Sequence, residues 1–211
     1  MRLLEPDVTL TDFALAVECA LFVVLLSVTS RWGLPYQTAF VFFFACNSLA
    51  SFFGGLVHGY YPDRHRGPGA WFWRGSLLTL GASTIAVWAI GSQLLFSPDV
   101  TKFITAGAIG AFLIYAYFLV TRFPPFFWAV LFYLPAVFFL LAAFVITYSR
   151  SGEQAMLFGL IGALLTLLAA IIQRLKIGLH PRHFNHNALY HVVQAIAFLM
   201  IFLAARQMIL Y

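Results

Sequence analysis

Seven long apolar runs, separated by short polar links, occupy almost the whole chain. Each run has roughly the 20 residues that an α-helix needs to cross the hydrocarbon core of a bilayer. Helices are favoured over strands because an open sheet edge cannot satisfy its backbone polar groups in lipid. We therefore predict an all-α fold, a single polytopic bundle over residues 1–211 with seven transmembrane helices, at Asp12–Ser30, Thr38–Tyr60, Trp71–Phe96, Val100–Thr121, Pro124–Tyr148, Gln154–Leu175 and Asn187–Leu210.

Composition agrees with this membrane class. Of the 211 residues, 63% are hydrophobic and 9% are charged, whereas a soluble domain carries about 25% charged residues. The net charge of +5 does not indicate a nucleic-acid partner, because the basic residues are spread over the links. Acids at Glu5, Asp7 and Asp12 stand where a signal peptide would be basic, so we expect no cleavable signal. Cys19 and Cys46 fall inside apolar runs and are expected to be buried thiols.

The basic residues also predict an orientation. The side that holds the N-terminus carries eight of the twelve, namely Arg2, Arg64, Arg66, Arg74, Arg122, Arg174, Lys176 and Arg182. The other side carries Arg31, Lys102, Arg150 and Arg206. Because Lys and Arg are enriched in cytoplasmic links, we expect a cytoplasmic N-terminus and an external C-terminus, in the cell (inner) membrane.

The second span carries a small and polar stripe that ends at a histidine. At about 100° per residue, Asn47 and Ser51 lie within roughly 20° of His58, and Gly54 lies one turn from it. Small residues and Ser often line contacts between membrane helices, which accounts for Ser51 and Gly54. An ionisable side chain inside a membrane marks a functional site by default, so we single out His58.

The start of the seventh span is rich in histidine. His183, His186 and His191 fall within nine residues, Asn187 shares a face with His191, and Gln194 continues that face one turn deeper. An odd number of crossings separates this segment from His58, so both lie at the same membrane depth. Four histidines at one depth predict a metal site, since imidazole binds zinc, copper, iron and nickel. Three nitrogen ligands with an open fourth position would suit catalytic zinc.

Two acids are candidates for a role beside the histidines. Glu18 is the one acid that we place within a span, and it must pair, protonate or coordinate there; a salt bridge to Arg74 is the structural alternative. Asp63 follows His58 by five residues. It is either a solvated acid beside Arg64 and Arg66 or a group that orients a metal-bound water.

Seven spans, a His near the end of the second and a His cluster opening the seventh are similar to the CREST superfamily of membrane hydrolases, which includes the alkaline ceramidases and the progestin and adipoQ receptors. That superfamily has a Ser one turn before the first His, an Asp shortly after it, and His-x-x-x-His in the seventh span. This chain departs from the pattern in three places, one of which is that Asp63 follows His58 more closely than the acid does in that superfamily. Gly54 stands four residues before His58, and Asn187 stands four residues before His191.

The resemblance implies Zn²⁺ bound by three histidines and cleavage of a lipid amide. Carried onto this chain, it implies His58, His186 and His191 as metal ligands, Asp63 as the acid that activates water, and Ser51 as a hydrogen-bond donor to the developing oxyanion. Which of His183, His186 and Asn187 accompanies His191 stays open. We therefore predict a zinc-dependent intramembrane hydrolase of a lipid amide or ester, with membrane lipid as its partner.

Three other functions fit the same residues. One is a lipid-binding receptor or sensor with a structural metal site. Another is a haem protein, because two histidines on different helices at one depth can be axial ligands. The third is a proton-coupled transporter that uses Glu18 and the histidines; against it, the sequence has no visible inverted repeat.

Overall fold

A computed structural model describes residues 3–28, 35–122, 126–180 and 183–210. These residues contain seven helices, α1 (Pro6–Ser27), α2 (Pro35–Gly59), α3 (Gly67–Leu95), α4 (Pro98–Arg122), α5 (Phe127–Ser151), α6 (Gln154–Leu175) and α7 (His186–Leu210). Each is long and apolar enough to cross a membrane. The chain is therefore an all-α, multi-pass membrane protein, and the predicted fold class is confirmed. The predicted span limits at Ser30 and Pro124 lie outside the described residues.

The helices form a closed arrangement. Helix α2 packs between α1 and α3, α5 packs against α3 and α6, and α7 packs against α6, α1 and α2. Helix α4 lies outside this arrangement, against α3. Because α1 and α7 begin on the side where α2 ends, their first turns and the last turn of α2 meet at one end. We call this end the His58 end.

Aromatic packing fills the bundle away from the His58 end. The rings of Phe22 and Phe202 stack with centroids 4.3 Å apart, and Phe44 meets Phe22 edge-on at 5.2 Å. Phe22 and Phe202 each lie sixteen residues beyond the start of their helix, so this core lies deep in the bundle. Cys19 and Cys46 are buried, as predicted.

Helix α1 begins six residues earlier than predicted. Pro6 occupies its first turn, where the missing N–H costs nothing, and Asp7 follows where the helix dipole favours a negative charge. Asp12 consequently lies in the second turn of a helix and is only 4% exposed. The expectation that Glu18 is the one acid within a span was wrong, because it placed Asp12 at the edge.

Candidate functional site

A cavity of about 320 Å³ opens at the His58 end, between α1, α2, α3 and α7. Its lining is unusually polar for a membrane protein and includes Asp12, Asn47, Ser51, His58, Arg64, Ser76, His186, Asn187, His191 and Gln194. The structure thus brings the three predicted metal-ligand histidines and Ser51 to one cavity. A buried polar cluster of this kind must satisfy itself internally or bind a partner.

His191 lies at the centre of the polar lining and is held from two sides by α1. Its Nδ1 lies 3.1 Å from Thr11 Oγ1, and its Nε2 lies 3.2 Å from Asp12 Oδ1. The Thr11 hydroxyl also lies within hydrogen-bond distance of the backbone carbonyls of Asp7 and Val8. A hydroxyl has one hydrogen to donate. With that hydrogen on a carbonyl, Thr11 accepts from His191, and Nδ1 carries the ring proton.

This tautomer leaves a lone pair on His191 Nε2 facing a carboxylate oxygen of Asp12. Two acceptors at 3.2 Å need a proton or a cation between them. The second oxygen, Asp12 Oδ2, is buried and accepts no hydrogen bond within the described part of the chain. Asp12 and His191, the residues that carry these atoms, both line the cavity. A proton held between the two groups, or a bound cation, would complete the pair, and within the described residues Asp12 Oδ2 is left as an acceptor for a water or substrate group.

Gly54 gives the Asp12 carboxylate its space. A Cβ at position 54 would lie 3.1 Å from both carboxylate oxygens of Asp12, closer than ordinary packing allows. The Asp12 carboxylate therefore packs closely against α2 at the position where residue 54 has no side chain. This is the position at which the superfamily pattern has a serine.

His58 pairs with the residue that precedes α1. Its Nδ1 lies 3.0 Å from Glu5 Oε2, and the hydrogen bond from this imidazole lowers the pKa of Glu5. The backbone N–H groups of Leu4 and Glu5 donate to the carbonyl oxygens of Gly59 and His58, each at 3.3 Å. A carboxylate on one ring nitrogen fixes the ring and leaves the other nitrogen for a ligand.

The start of α7 is fixed by Asn185. Its Oδ1 accepts hydrogen bonds from the N–H groups of Asn187 at 2.8 Å and Ala188 at 3.3 Å, which is an N-cap. Its own N–H donates to Asp7 Oδ2 at 3.0 Å. This cap holds His186 and Asn187 at the cavity, and both line it. Helix α7 is thus tied to α1 at the turn that carries the site.

His183 stays outside the cavity lining. It is exposed in the α6–α7 link, where its N–H donates to His180 Nδ1 at 3.1 Å. Of the three candidates to accompany His191, the structure therefore brings His186 and Asn187 to the site and leaves His183 in the link.

Asp63 does not take the position expected of it. It is exposed in the α2–α3 link, and its Oδ1 accepts hydrogen bonds from the N–H groups of His65 at 2.9 Å and Arg66 at 3.2 Å. Gly69 of α3 lies directly against the carbonyl oxygens of Tyr61 and Asp63. The link therefore folds back across the first turn of α3, and the Asp63 side chain caps a turn instead of lining the cavity.

Glu18 also lies away from the cavity. It is half-buried on α1, six residues beyond Asp12, and its Oε2 is buried without a hydrogen-bond partner in the described part of the chain. It is not among the cavity-lining residues.

The described residues contain no group of three His, Cys, Asp or Glu side chains arranged to hold a metal ion. His58, His186 and His191 share a cavity without converging on one point. The zinc site therefore stays a prediction. In its favour, the 3.2 Å between His191 Nε2 and Asp12 Oδ1 is close to the separation of about 3.3 Å between two ligands of tetrahedral zinc.

An apolar groove of about 720 Å³ adjoins the cavity, between α5, α6 and α7. Eight residues line both spaces, namely Asn47, Leu80, Phe126, Gln173, His186, Tyr190, Gln194 and Phe198. The polar cavity and the apolar groove are therefore continuous.

Sequence reasoning missed Asp12, Thr11 and Glu5 as members of the site. The signal available was Pro6 followed by Asp7, a frequent combination at the first turn of a helix. Starting α1 there would have placed Asp12 inside the bundle at the depth of His191.

Comparison with known families matches residues 8–210. No curated protein and no solved structure matches the chain. The family match covers nearly the whole bundle, including Asp12, His58 and His191. The chain belongs to DUF6962, a family of unknown function.

Proposed function

We propose that this protein is a zinc-dependent intramembrane hydrolase that cleaves an amide or ester bond of a membrane lipid. The observation that carries the proposal is the pair formed by His191 Nε2 and Asp12 Oδ1, 3.2 Å apart. It lies in a polar cavity that continues into an apolar groove. A hydrolase of lipids needs both parts, one for the reacting carbonyl and one for the chain.

Two of the residues present lie at a separation that suits metal ligands, since His191 Nε2 and Asp12 Oδ1 are 3.2 Å apart. These two would hold the ion, and His58 and His186, which line the same cavity without converging on the pair, are the candidates for the remaining ligands. The Thr11 and Glu5 contacts orient the two imidazoles, as hydrogen-bonded neighbours commonly do for histidine ligands. When bound, Zn²⁺ supplies a Lewis acid that polarises a carbonyl and acidifies water.

The protein groups provide the proton transfers. Asp12 Oδ2, which has no hydrogen-bond partner among the described residues, accepts a proton from the attacking water as the water oxygen bonds to the carbonyl carbon. Ser51 is 8% exposed at the cavity and donates to the oxygen on which negative charge develops. The proton on Asp12 then passes to the departing amine or alcohol. Asp12 takes the role that the sequence resemblance gave to Asp63.

We further propose that the His58 end faces the cytoplasm. Eight of the twelve Lys and Arg residues lie on that side of the predicted topology, and basic links are retained in the cytoplasm. Labelling of single cysteines introduced at Arg66 and at Gly152, in intact cells, tests this. Labelling of the Arg66 site from outside would overturn it.

The test of the hydrolase is metal content and lipid turnover, measured on protein purified in detergent without chelator. We expect bound zinc, and hydrolysis of a lipid amide or ester that chelation abolishes. Asp12→Asn should lower turnover at least 100-fold, whereas Asp63→Asn, which also removes one carboxylate at the same end, should retain it. Protein free of transition metal, with equal behaviour of the two variants, would rule the hydrolase out.

A receptor that binds lipid without cleaving it is the second candidate. The observation in its favour is that the three histidines do not converge within the described residues. In that case His58→Ala and His191→Ala should lower the melting temperature and lipid affinity, and no product should form with any lipid offered.

A further inference from the structure

The mouth of the apolar groove carries positive charge. Arg174 and Lys176, at the end of α6, are exposed and line the groove where it reaches the His58 end. The guanidinium of Arg174 lies 5.2 Å from the ring centre of Phe127 at the start of α5. No Asp or Glu is among the groove-lining residues in the described part of the chain.

The remainder of the groove suits a hydrocarbon chain. From Phe127 the lining follows α5 through Val130, Leu134 and Phe138. Eleven residues of helix, at a rise of 1.5 Å each, span about 16 Å. The groove therefore runs from the bilayer surface to about the middle of a hydrocarbon core of about 30 Å. It has the length and polarity of the space that one acyl chain occupies.

We propose that this groove binds an anionic phospholipid from the surrounding bilayer, with one acyl chain along α5 and the phosphate held by Arg174 and Lys176. Arginine pairs with phosphate through two parallel hydrogen bonds, and lysine adds a compact charge. The stacking of Arg174 on Phe127 keeps the guanidinium at the mouth.

The arrangement assigns a substrate class to the site, and this part rests on the proposed hydrolase function. With the phosphate at the mouth, the ester carbonyls lie next to the residues that line both spaces, among them His186 and Gln194. Water adds to the carbonyl carbon, the bond to the glycerol oxygen breaks, and that oxygen takes the proton. The products are a fatty acid and an anionic lysophospholipid.

Binding of fluorescent phosphatidylglycerol and phosphatidylcholine with identical acyl chains, in detergent, tests the groove independently of turnover. We expect the full chain to prefer phosphatidylglycerol by about thirtyfold, the factor that corresponds to about 1 kcal/mol from each of the two basic residues near an anionic lipid. Arg174→Gln with Lys176→Gln should abolish the preference. Arg174→Lys with Lys176→Arg should retain it, and so should Arg122→Gln with Arg150→Gln, which removes two charges elsewhere.

A second pair of variants tests the chain-binding part. Ala170 lines the groove, so Ala170→Phe should weaken the binding of both lipids about tenfold. Ala111→Phe, at an exposed position of α4, should leave it unchanged. Equal affinity of the unmodified protein for the two lipids, or loss of preference in the Arg122 and Arg150 control, would overturn the proposal. A preference for phosphatidylglycerol without lipid hydrolysis would refute the proposed hydrolase and leave the lipid-binding groove standing. Lipid hydrolysis without that preference would refute the binding of an anionic lipid in the groove and leave the hydrolase standing.

Discussion

Asp12 of α1 fills the space that the missing side chain of Gly54 leaves on α2. A Cβ at Gly54 would lie 3.1 Å from both carboxylate oxygens, and one of these oxygens lies 3.2 Å from His191 Nε2. Three helices thus meet at a single carboxylate. A methyl group at position 54 would press on this carboxylate.

Gly54→Ala should displace the Asp12 carboxylate by a few tenths of an ångström and disturb its contact with His191. We expect lipid turnover to fall about tenfold, with a loss of unfolding free energy of about 1–3 kcal/mol from overpacking. Gly107→Ala is the matched control, because nothing lies within 4 Å of a Cβ there. Thermal unfolding and lipid turnover of both variants test this prediction. Equal losses in the Gly54 and Gly107 variants would contradict it.

Thr11→Val should leave His191 Nδ1 without its acceptor while it keeps the side-chain shape. Loss of such a contact to a ligating histidine costs about 10–100-fold in metal affinity or activity, so we expect zinc content and turnover to fall together. The control is Thr79→Val, since Thr79 Oγ1 makes the same bonds to the carbonyls of Gly75 and Ser76. If both variants retain zinc equally, Thr11 does not orient His191.

Glu5→Gln should weaken the attachment of the N-terminal segment to α2 in a pH-dependent way. The His58 hydrogen bond lowers the pKa of Glu5 from its ordinary value of 4.5. The folded protein therefore binds the proton more weakly than the unfolded chain does. The Glu5–His58 pair therefore contributes its full stabilisation at pH values above the ordinary pKa of 4.5, and this stabilisation is lost as the pH falls through the lowered pKa of Glu5. Melting temperatures of the two proteins should differ at pH 6 and converge in acid; a constant difference would contradict this.

Asn185→Ala removes the cap that starts α7. We expect a loss of about 1 kcal/mol of stability, with reduced turnover because His186 and Asn187 are no longer held at the cavity. Asn185→Ser should recover most of both, since Ser is also a good N-cap. Thermal unfolding with turnover measures the two effects, and no recovery by Ser would assign the loss to something other than capping.

The lengths of the apolar runs were sufficient to predict the fold class, because a long apolar run in a membrane protein is stable only as a helix that crosses the bilayer. The count of spans also predicted that His58, His186 and His191 lie at one depth, because an odd number of membrane crossings separates the end of the second span from the start of the seventh. The position of Asp63 was not predictable in this way. It depends on the close approach of the α2–α3 link to Gly69, a contact between backbone atoms that leaves no mark in the hydrophobic pattern.

The apolar groove was equally hidden. It is lined by residues of α5, α6 and α7, and the apolar runs alone do not show where three helices leave a space between them. Phe126 and Phe127 both line the groove, and nothing in the apolar pattern separates them from the other phenylalanines of the chain. The basic end of α6 was interpreted only as an orientation signal, because its proximity to Phe127 requires the fold.

The fit of Asp12 into the space at Gly54 couples two positions that lie on different helices. A carboxylate from α1 occupies the position that a side chain of α2 would otherwise fill. Proteins with the same site could therefore share no linear signature, since an acid gained on one helix would be matched by a glycine on the next. Positions 12 and 54 should therefore vary together in related chains.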